Sequence, residues 1–231
     1  MPKLKEMSRD ILGSFWEFLF PSCCPRCGKY VAERSGWCEA CLQEALSVRR
    51  LSLPPGSAFT EIWALSSYKD CLEKLIKDLK YRRKTSALPY LKSLLEKAEP
   101  ELVWLRRKDF LAVPVPLYAA KEKARGFNQT ELIFKDWLQE KEIPLTRGLI
   151  RNRETRAMYG LSPVEREENL RGAFSAIEEG GQPVVQGRDI LFLDDIFTTG
   201  STMEACGKVL KRAGALSVTG LVLASDHDLH L

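Results

Sequence analysis

Histidine is all but missing from this chain: two occur in 231 residues, His227 and His230, both at the tail. Far along the chain from every motif, they read as terminal decoration, and no other residue stands out as a general base. Long apolar runs are missing as well. None approaches the roughly 20 residues of a membrane-spanning helix, which predicts no membrane insertion. The stretch "ILGSFWEFLFPSCC" has the outline of a secretion signal, but Asp10 and Glu17 interrupt it and Phe20-Pro21-Ser22 is a poor cleavage site. Residues 8–20 are expected to form an amphipathic helix, in a protein that is cytoplasmic. Neither Gly-x4-Gly-Lys-Ser/Thr nor Gly-x-Gly-x-x-Gly occurs, which excludes a triphosphatase loop and a dinucleotide fingerprint. Internal repeats and low-complexity tracts are absent. What is there is globular and mildly basic, with 45% hydrophobic residues, 29% charged residues and a net charge of +4. That balance is compatible with phosphate or nucleic-acid ligands without being diagnostic of either.

Cysteine is concentrated instead of spread. Five of the seven lie between positions 23 and 41, and in a cytoplasmic chain such a cluster points to metal, not disulfides. Cys24 and Cys27 form one Cys-x2-Cys knuckle, Cys38 and Cys41 a second, ten residues on. Four thiolates complete a tetrahedral shell around Zn2+ and leave no open position, so the expected metal is structural. Gly28 follows the first knuckle, where the turn favours a residue free to take positive φ. Cys23 is an alternative to Cys24 with a less suitable spacing. A ribbon of this kind can grip nucleic acid, hold a partner protein or fix its module to the body. Arg26, Lys29 and Arg34 decorate it, offset by Glu33, Glu39 and Glu44. Cys71 and Cys206 stand apart as core filler.

The Pro- and Gly-containing stretch 47–58 reads as a linker. It separates an N-terminal helix and four-cysteine module over 1–50 from a larger domain over 56–231. In the latter, "TEIWALSSY", "DFLAVPVP", "EIPLTRGLI", "GRDILFLDD" and "LSVTGLVLAS" read as strands. "KDCLEKLIKDLKYRRK" places Leu72, Leu75, Ile76 and Leu79 on one helical face with its lysines and arginines on the other. "SALPYLKSLLEKAE" and "STMEACGKVLKRAGA" are further helices, and "GFNQTELIFKDWLQE" is one with Leu132, Ile133, Trp137 and Leu138 inward. Alternating strands and helices predict an α/β fold, a mostly parallel sheet flanked by helices, with the small N-terminal four-cysteine zinc ribbon beside it. Ligands of such sheets sit beyond the carboxyl ends of the strands. Two strand ends expected there are the prolines after Val113 and the pair Asp194-Asp195.

The second of these carries the chemistry. In "LFLDDIFTTGST" an apolar strand ends in two carboxylates and enters a loop of Thr198, Thr199, Gly200, Ser201 and Thr202 before a helix. Backbone N–H groups at a helix start, with hydroxyls beside them, cradle a phosphate. Carboxylates one sugar length back accept hydrogen bonds from ribose hydroxyls and can help hold a Mg2+ shell. A single ligand, a ribose 5-phosphate, satisfies both halves.

This stretch resembles the phosphoribosyl pyrophosphate (PRPP) motif of type I phosphoribosyltransferases. Together with "VPVPLYAAKEKARGFNQTELI", the four cysteines and "RNRETRAMYGLSPVEREENLRGAF", the chain resembles the ComF family over roughly residues 20–225. The resemblance implies a zinc ribbon joined to a type I phosphoribosyltransferase-like domain. It also implies a role in natural transformation: cytoplasmic handling of incoming single-stranded DNA beside a helicase-like competence protein. Lys121, Lys123 and Arg125 then occupy the position of the pyrophosphate loop, where cations take a diphosphate or a nucleic-acid backbone. Arg153 and Arg156 lie on a hood that would close over a leaving diphosphate, with Tyr159 placed to stack on a base. Read from its charges alone, the same segment is a solvated β-arm. Tyr118 stands where the family often has histidine, and Ala157-Met158-Tyr159 where it often has a Ser/Pro-Gln pair. Three functions stay open: a DNA-uptake factor with a retained PRPP or nucleotide-like ligand site, a working phosphoribosyltransferase that uses a nitrogen nucleophile, and a regulator that senses PRPP.

Overall fold

A computed structural model describes residues 22–32, 36–82, 84–107, 109–156 and 160–227. The helix expected over 8–20, Glu33, Arg34, Tyr159 and His230 lie outside the described residues. In chain order the elements begin with α1 (Glu39–Ala45), β1 (Leu46–Arg50), β2 (Glu61–Ser67), α2 (Asp70–Arg82), α3 (Leu88–Ala98) and β3 (Phe110–Pro114). They continue with α4 (Ala119–Arg125), α5 (Gln129–Glu140), β4 (Leu149–Arg151), α6 (Pro163–Leu170) and β5 (Phe174–Ala176). A short hairpin, β6 (Glu178–Glu179) with β7 (Gln182–Pro183), leads to β8 (Asp189–Phe197), α7 (Ser201–Arg212) and β9 (Ser217–Ser225).

The central sheet has the order β1-β2-β9-β8-β3. β2, β9, β8 and β3 run parallel, and β1 closes the outer edge antiparallel to β2. β8 and β9 are buried on both faces along most of their length, which is why they read as near-continuous apolar runs. One face is covered by α2, α3 and α5 through Leu72, Ile76, Leu79, Leu91, Leu94 and Phe134. The other is covered by α7, whose buried Met203, Cys206, Gly207 and Leu210 recur at helical spacing. Cys206 is therefore core, as expected. In α5 the buried stripe takes Ile133, Phe134, Trp137 and Leu138, while Leu132 is only partly buried.

The expected strands and helices form, with three differences. The start of the expected linker is strand β1, because Arg49 and Arg50 align against Ala64 and Trp63 of β2. "AAKEKAR" is the short helix α4, not an open loop. The charged segment after β4 folds back so that β4 pairs antiparallel with β5, and α6 stands between them under a Ser162–Glu165 capping box. Among the described residues no helix is long and apolar enough to cross a membrane.

Candidate functional site

β3 and β8 are hydrogen-bonded neighbours running in the same direction, so Val115 and Asp194-Asp195 emerge at one edge. Asn128 ties this edge together: its side chain caps α5 and donates to the Val115 carbonyl at 2.9 Å. β8 does not stop at the acids but continues to Phe197. Consecutive strand residues leave on opposite faces, and the two carboxylates do so. Asp195 turns toward α2, where its Oδ2 lies 2.9 Å from Lys80 Nζ. The contact is an ion pair between a largely buried ammonium and a buried carboxylate. Asp194 lies on the α7 side, where the buried Cys206 thiol and Arg151 are its electrostatic neighbours. Its Oδ1 accepts from the Asp195 backbone N–H at 2.8 Å.

Burial and the neighbouring Asp195 push the Asp194 carboxyl well above the usual range. Burial works against the Lys80 ammonium, but Asp195 and Asp194 outweigh it and leave its pKa raised. Arg125 is half-buried on the same side; burial lowers its pKa and Asp195 acts in the opposite sense. Its guanidinium donates to Gln129 Oε1. Sequence periodicity assigns Lys80 to the polar face of its helix. The signal that points inward is its place one turn after Ile76 and next to Leu79, at the border of the apolar stripe.

The loop itself is open on its outer side. Thr198 and Thr199 are exposed, and the Thr199 and Ser201 hydroxyls are 3.0 Å apart. Gly200 is the residue before α7 with φ +71°, and no side chain caps the helix start. Beneath it lies the Phe197 ring, which a Cβ at position 200 would meet at 2.6 Å. His227, remote in sequence, packs its ring 5.5 Å from that of Phe197 behind the loop. A cleft of about 680 Å3 runs from Thr199, Gly200 and Ser201 along α7, between Leu53 and Leu170.

The basic residues expected at the site divide by partner. Lys121 pairs with Glu154 of the folded-back segment at 3.2 Å. Arg153 donates to the carbonyls of Asn169 and Arg171, so its guanidinium closes the arm on itself. Asn169 reads the Arg156 backbone with both ends of its amide, while the Arg156 and Lys123 side chains are exposed. Arg151 lies over the Phe174 ring at 5.5 Å and donates to Thr155.

At the other end of the chain, the sulfurs of Cys24, Cys27, Cys38 and Cys41 lie within 4.8 Å of one another. Cys27 and Cys38 Sγ are 3.6 Å apart, against the roughly 3.8 Å that four thiolates around one tetrahedral Zn2+ imply. Cys23 lies outside the four-sulfur group and bridges to Tyr30. The first knuckle is closed by Gly28 N–H to the Cys24 carbonyl at 3.0 Å, with Gly28 at φ +74°. Burial raises the Cys24 thiol, but backbone N–H groups at Cys27, Cys38 and Arg26 bring it down to about 6. The donor set thus fits a metal ion. Trp37 Nε1 donates to the Tyr90 carbonyl and Tyr90 Oη to the Cys23 carbonyl, seating the ribbon on α3. Cys71 packs against this seat.

No family model matches the chain. The chain is 32% identical to DNA utilization protein YhgH of Salmonella typhimurium over 205 residues, 85% of this chain and 81% of that one. It is 34% identical to competence protein F of Haemophilus influenzae over 116 residues, 48% and 49% of the two chains. Adenine phosphoribosyltransferase from Thermoanaerobacter pseudethanolicus aligns in structure over 80% of this chain and 87% of that one, at 15% identity and a TM-score of 0.39. An overlap that loose bears on no property of the site.

Proposed function

The chain belongs to the ComF family, and from that premise we propose that its sheet-end crevice binds a ribose 5-phosphate, PRPP or nucleotide-like ligand in a protein that handles incoming single-stranded DNA in the cytoplasm during natural transformation. The observation that carries the ligand is the start of α7. Its first backbone donors have no side-chain cap, and two hydroxyls stand beside them. A phosphate fits the donors, and Mg2+ is expected to accompany a diphosphate. The DNA role is drawn from the names of the relatives, one for DNA utilization and one for competence.

In this reading residues 1–50 carry the metal-held module and residues 56–231 are the ligand domain, whose sheet takes in β1 from the end of the first segment. Cys24, Cys27, Cys38 and Cys41 hold Zn2+, which supplies cross-linking and no catalysis, since all four positions are taken by protein. Lys123 and Arg156, both exposed, are the basic residues left to meet a nucleic-acid backbone or a helicase-like partner.

A second reading, transfer of phosphoribosyl from PRPP to a nitrogen nucleophile, is favoured by the Lys121–Glu154 pair. That pair links α4 to the folded-back segment, as a hood that excludes water over the site requires.

Calorimetry tests the first reading with ribose 5-phosphate, PRPP, ATP and a short single-stranded oligonucleotide, each with and without Mg2+. Saturable binding of a sugar phosphate is expected, together with oligonucleotide binding that falls steeply with salt. A protein that takes up none of the four overturns it, and normal transformation in a clean deletion overturns the DNA role. Pyrophosphate release with a panel of bases and amines decides for the second reading.

A further inference from the structure

The cleft that starts at Thr199, Gly200 and Ser201 does not end with the phosphate loop. It follows α7 as far as Arg212, the last residue of a 12-residue helix, which is about 18 Å long at about 1.5 Å per residue. Resting on the sugar-phosphate and single-stranded DNA readings, we propose that this cleft holds the 5′-phosphorylated end of a DNA strand. The terminal phosphate lies at the start of α7, the first nucleoside between the walls, and the strand runs on toward Arg212.

The walls are apolar where a base would lie. Leu53 and Pro54 stand on one side, Leu170 and Phe174 on the other, and Ala205 and Val209 of α7 lie between them. A ribose 5-phosphate is polar all round and has nothing to bury there, whereas every nucleobase has a face that packs on apolar and aromatic groups. The volume, about 680 Å3, falls in the range of about 300–1,000 Å3 that encloses a whole organic ligand. The first wall is tied down from within the cleft: the Ser57 hydroxyl and the Ala58 N–H both donate to the Glu204 carboxylate of α7 at 2.9 Å.

Length and charge favour a strand over a free nucleotide. Stacked nucleotides advance about 3.4 Å each, so a cleft that follows the whole of α7 spans more than one. It is also lined by Arg171, Lys208 and Arg212, all exposed. Of its two acids Glu204 is taken up by the wall, which leaves Glu167 against these cations. A terminal phosphate carries a charge of about −1.5 to −2 and three acceptor oxygens, more than an internal phosphodiester with its single charge. It is therefore the better partner for uncapped helix donors with two hydroxyls beside them.

The test is calorimetry with one short single-stranded DNA that carries a 5′-phosphate, the same strand with its phosphate at the 3′ end, and the same strand with neither. The 5′-phosphorylated strand is expected to bind at least about tenfold more tightly than the other two, which should be alike. Ribose 5-phosphate should compete with it and erase the preference. Ala205→Leu narrows the cleft and should remove the preference while ribose 5-phosphate binding stays within about twofold. Lys208→Glu, an exposed change that serves if Ala205→Leu fails to fold, should weaken the 5′-phosphorylated strand about fivefold or more and spare ribose 5-phosphate in the same way.

A strand that gains nothing from a 5′-phosphate, or gains as much from a 3′-phosphate, overturns the inference and leaves the sugar-phosphate and DNA readings standing. So does a preference that ribose 5-phosphate cannot displace, or one that survives both substitutions. Absence of binding by ribose 5-phosphate and by every strand removes the inference together with the readings beneath it.

Discussion

Four thiols in the ribbon converge on one point, whereas the two carboxylates near the end of β8 leave on opposite faces of the strand while still acting on each other. The first arrangement gathers four thiols within 4.8 Å of one another, a donor set that fits a metal ion. The second separates its acids onto two faces of a strand, then gives one of them a lysine at 2.9 Å and holds the other in a setting that favours its proton. With a metal bound, the ribbon's order is expected to depend on that ion, because four thiolates that close need a cation between them. The crevice is organised by contacts within the chain itself.

The comparison breaks most severely at the ribbon. Cys38→Ser or Cys41→Ser should cost the protein its zinc, read by elemental analysis of the purified chain. Structural zinc accounts for about 10–16 kcal/mol of apparent folding free energy in small zinc modules. Trp37 fluorescence should change as the seat on Tyr90 opens, while ribose 5-phosphate binding persists. Binding lost together with the metal would mean that the two regions are not independent.

Next in size is the crevice's internal pair. Lys80→Ala leaves Asp195 buried without compensation and should lower stability by about 3–5 kcal/mol in urea unfolding. The Lys80→Met, Asp195→Asn double variant should recover much of that loss. A single variant as stable as the wild type would show that the pair is not the organising contact.

Gly200→Ala is smaller. It forces a Cβ onto the Phe197 ring and a side chain into positive φ, a cost of about 1–3 kcal/mol. Phosphate-containing ligands should weaken in the same variant. Unchanged binding would move the phosphate away from this turn.

The smallest effect depends on pH. Asp194 has a raised pKa in the folded chain, so it retains a proton that the unfolded chain releases. The stability tied to that proton is present below the ordinary carboxylate range and is lost as the pH rises through the raised value. Asp194→Asn removes the loss. The variant should match the wild type near pH 4 and exceed it increasingly at higher pH in thermal scans. A constant difference across pH would assign the raised pKa to something other than this site.

Much of this architecture is legible in the residues. β8, β9 and α7 announce themselves through period and composition, and the two Cys-x2-Cys pairs through spacing, because each signal is local. What cannot be read is where a pattern stops and what a distant element brings. "GRDILFLDD" read as a strand that ends at the acids would let both carboxylates reach one ligand. The strand instead runs on through Ile196 and Phe197, and its alternation sets the two acids on opposite faces. Lys80 looks solvent-facing because helical periodicity ranks a lysine with its polar neighbours. Only the crossing of α2 over β9 to β8 gives that lysine a buried partner. His227 looks remote because distance along the chain hides that β9 lies beside β8.

β1, directly after the last cysteine-bearing helix of the ribbon, is also the outermost strand of the sheet. Its backbone covers the row of N–H and C=O groups that β2 would otherwise turn to solvent. A chain stripped of its metal risks more than a loosened appendage. With its margin peeled back, the sheet offers a bare template on which a second molecule can zip, so metal starvation should show first as clumping, before any fault in the crevice is measurable.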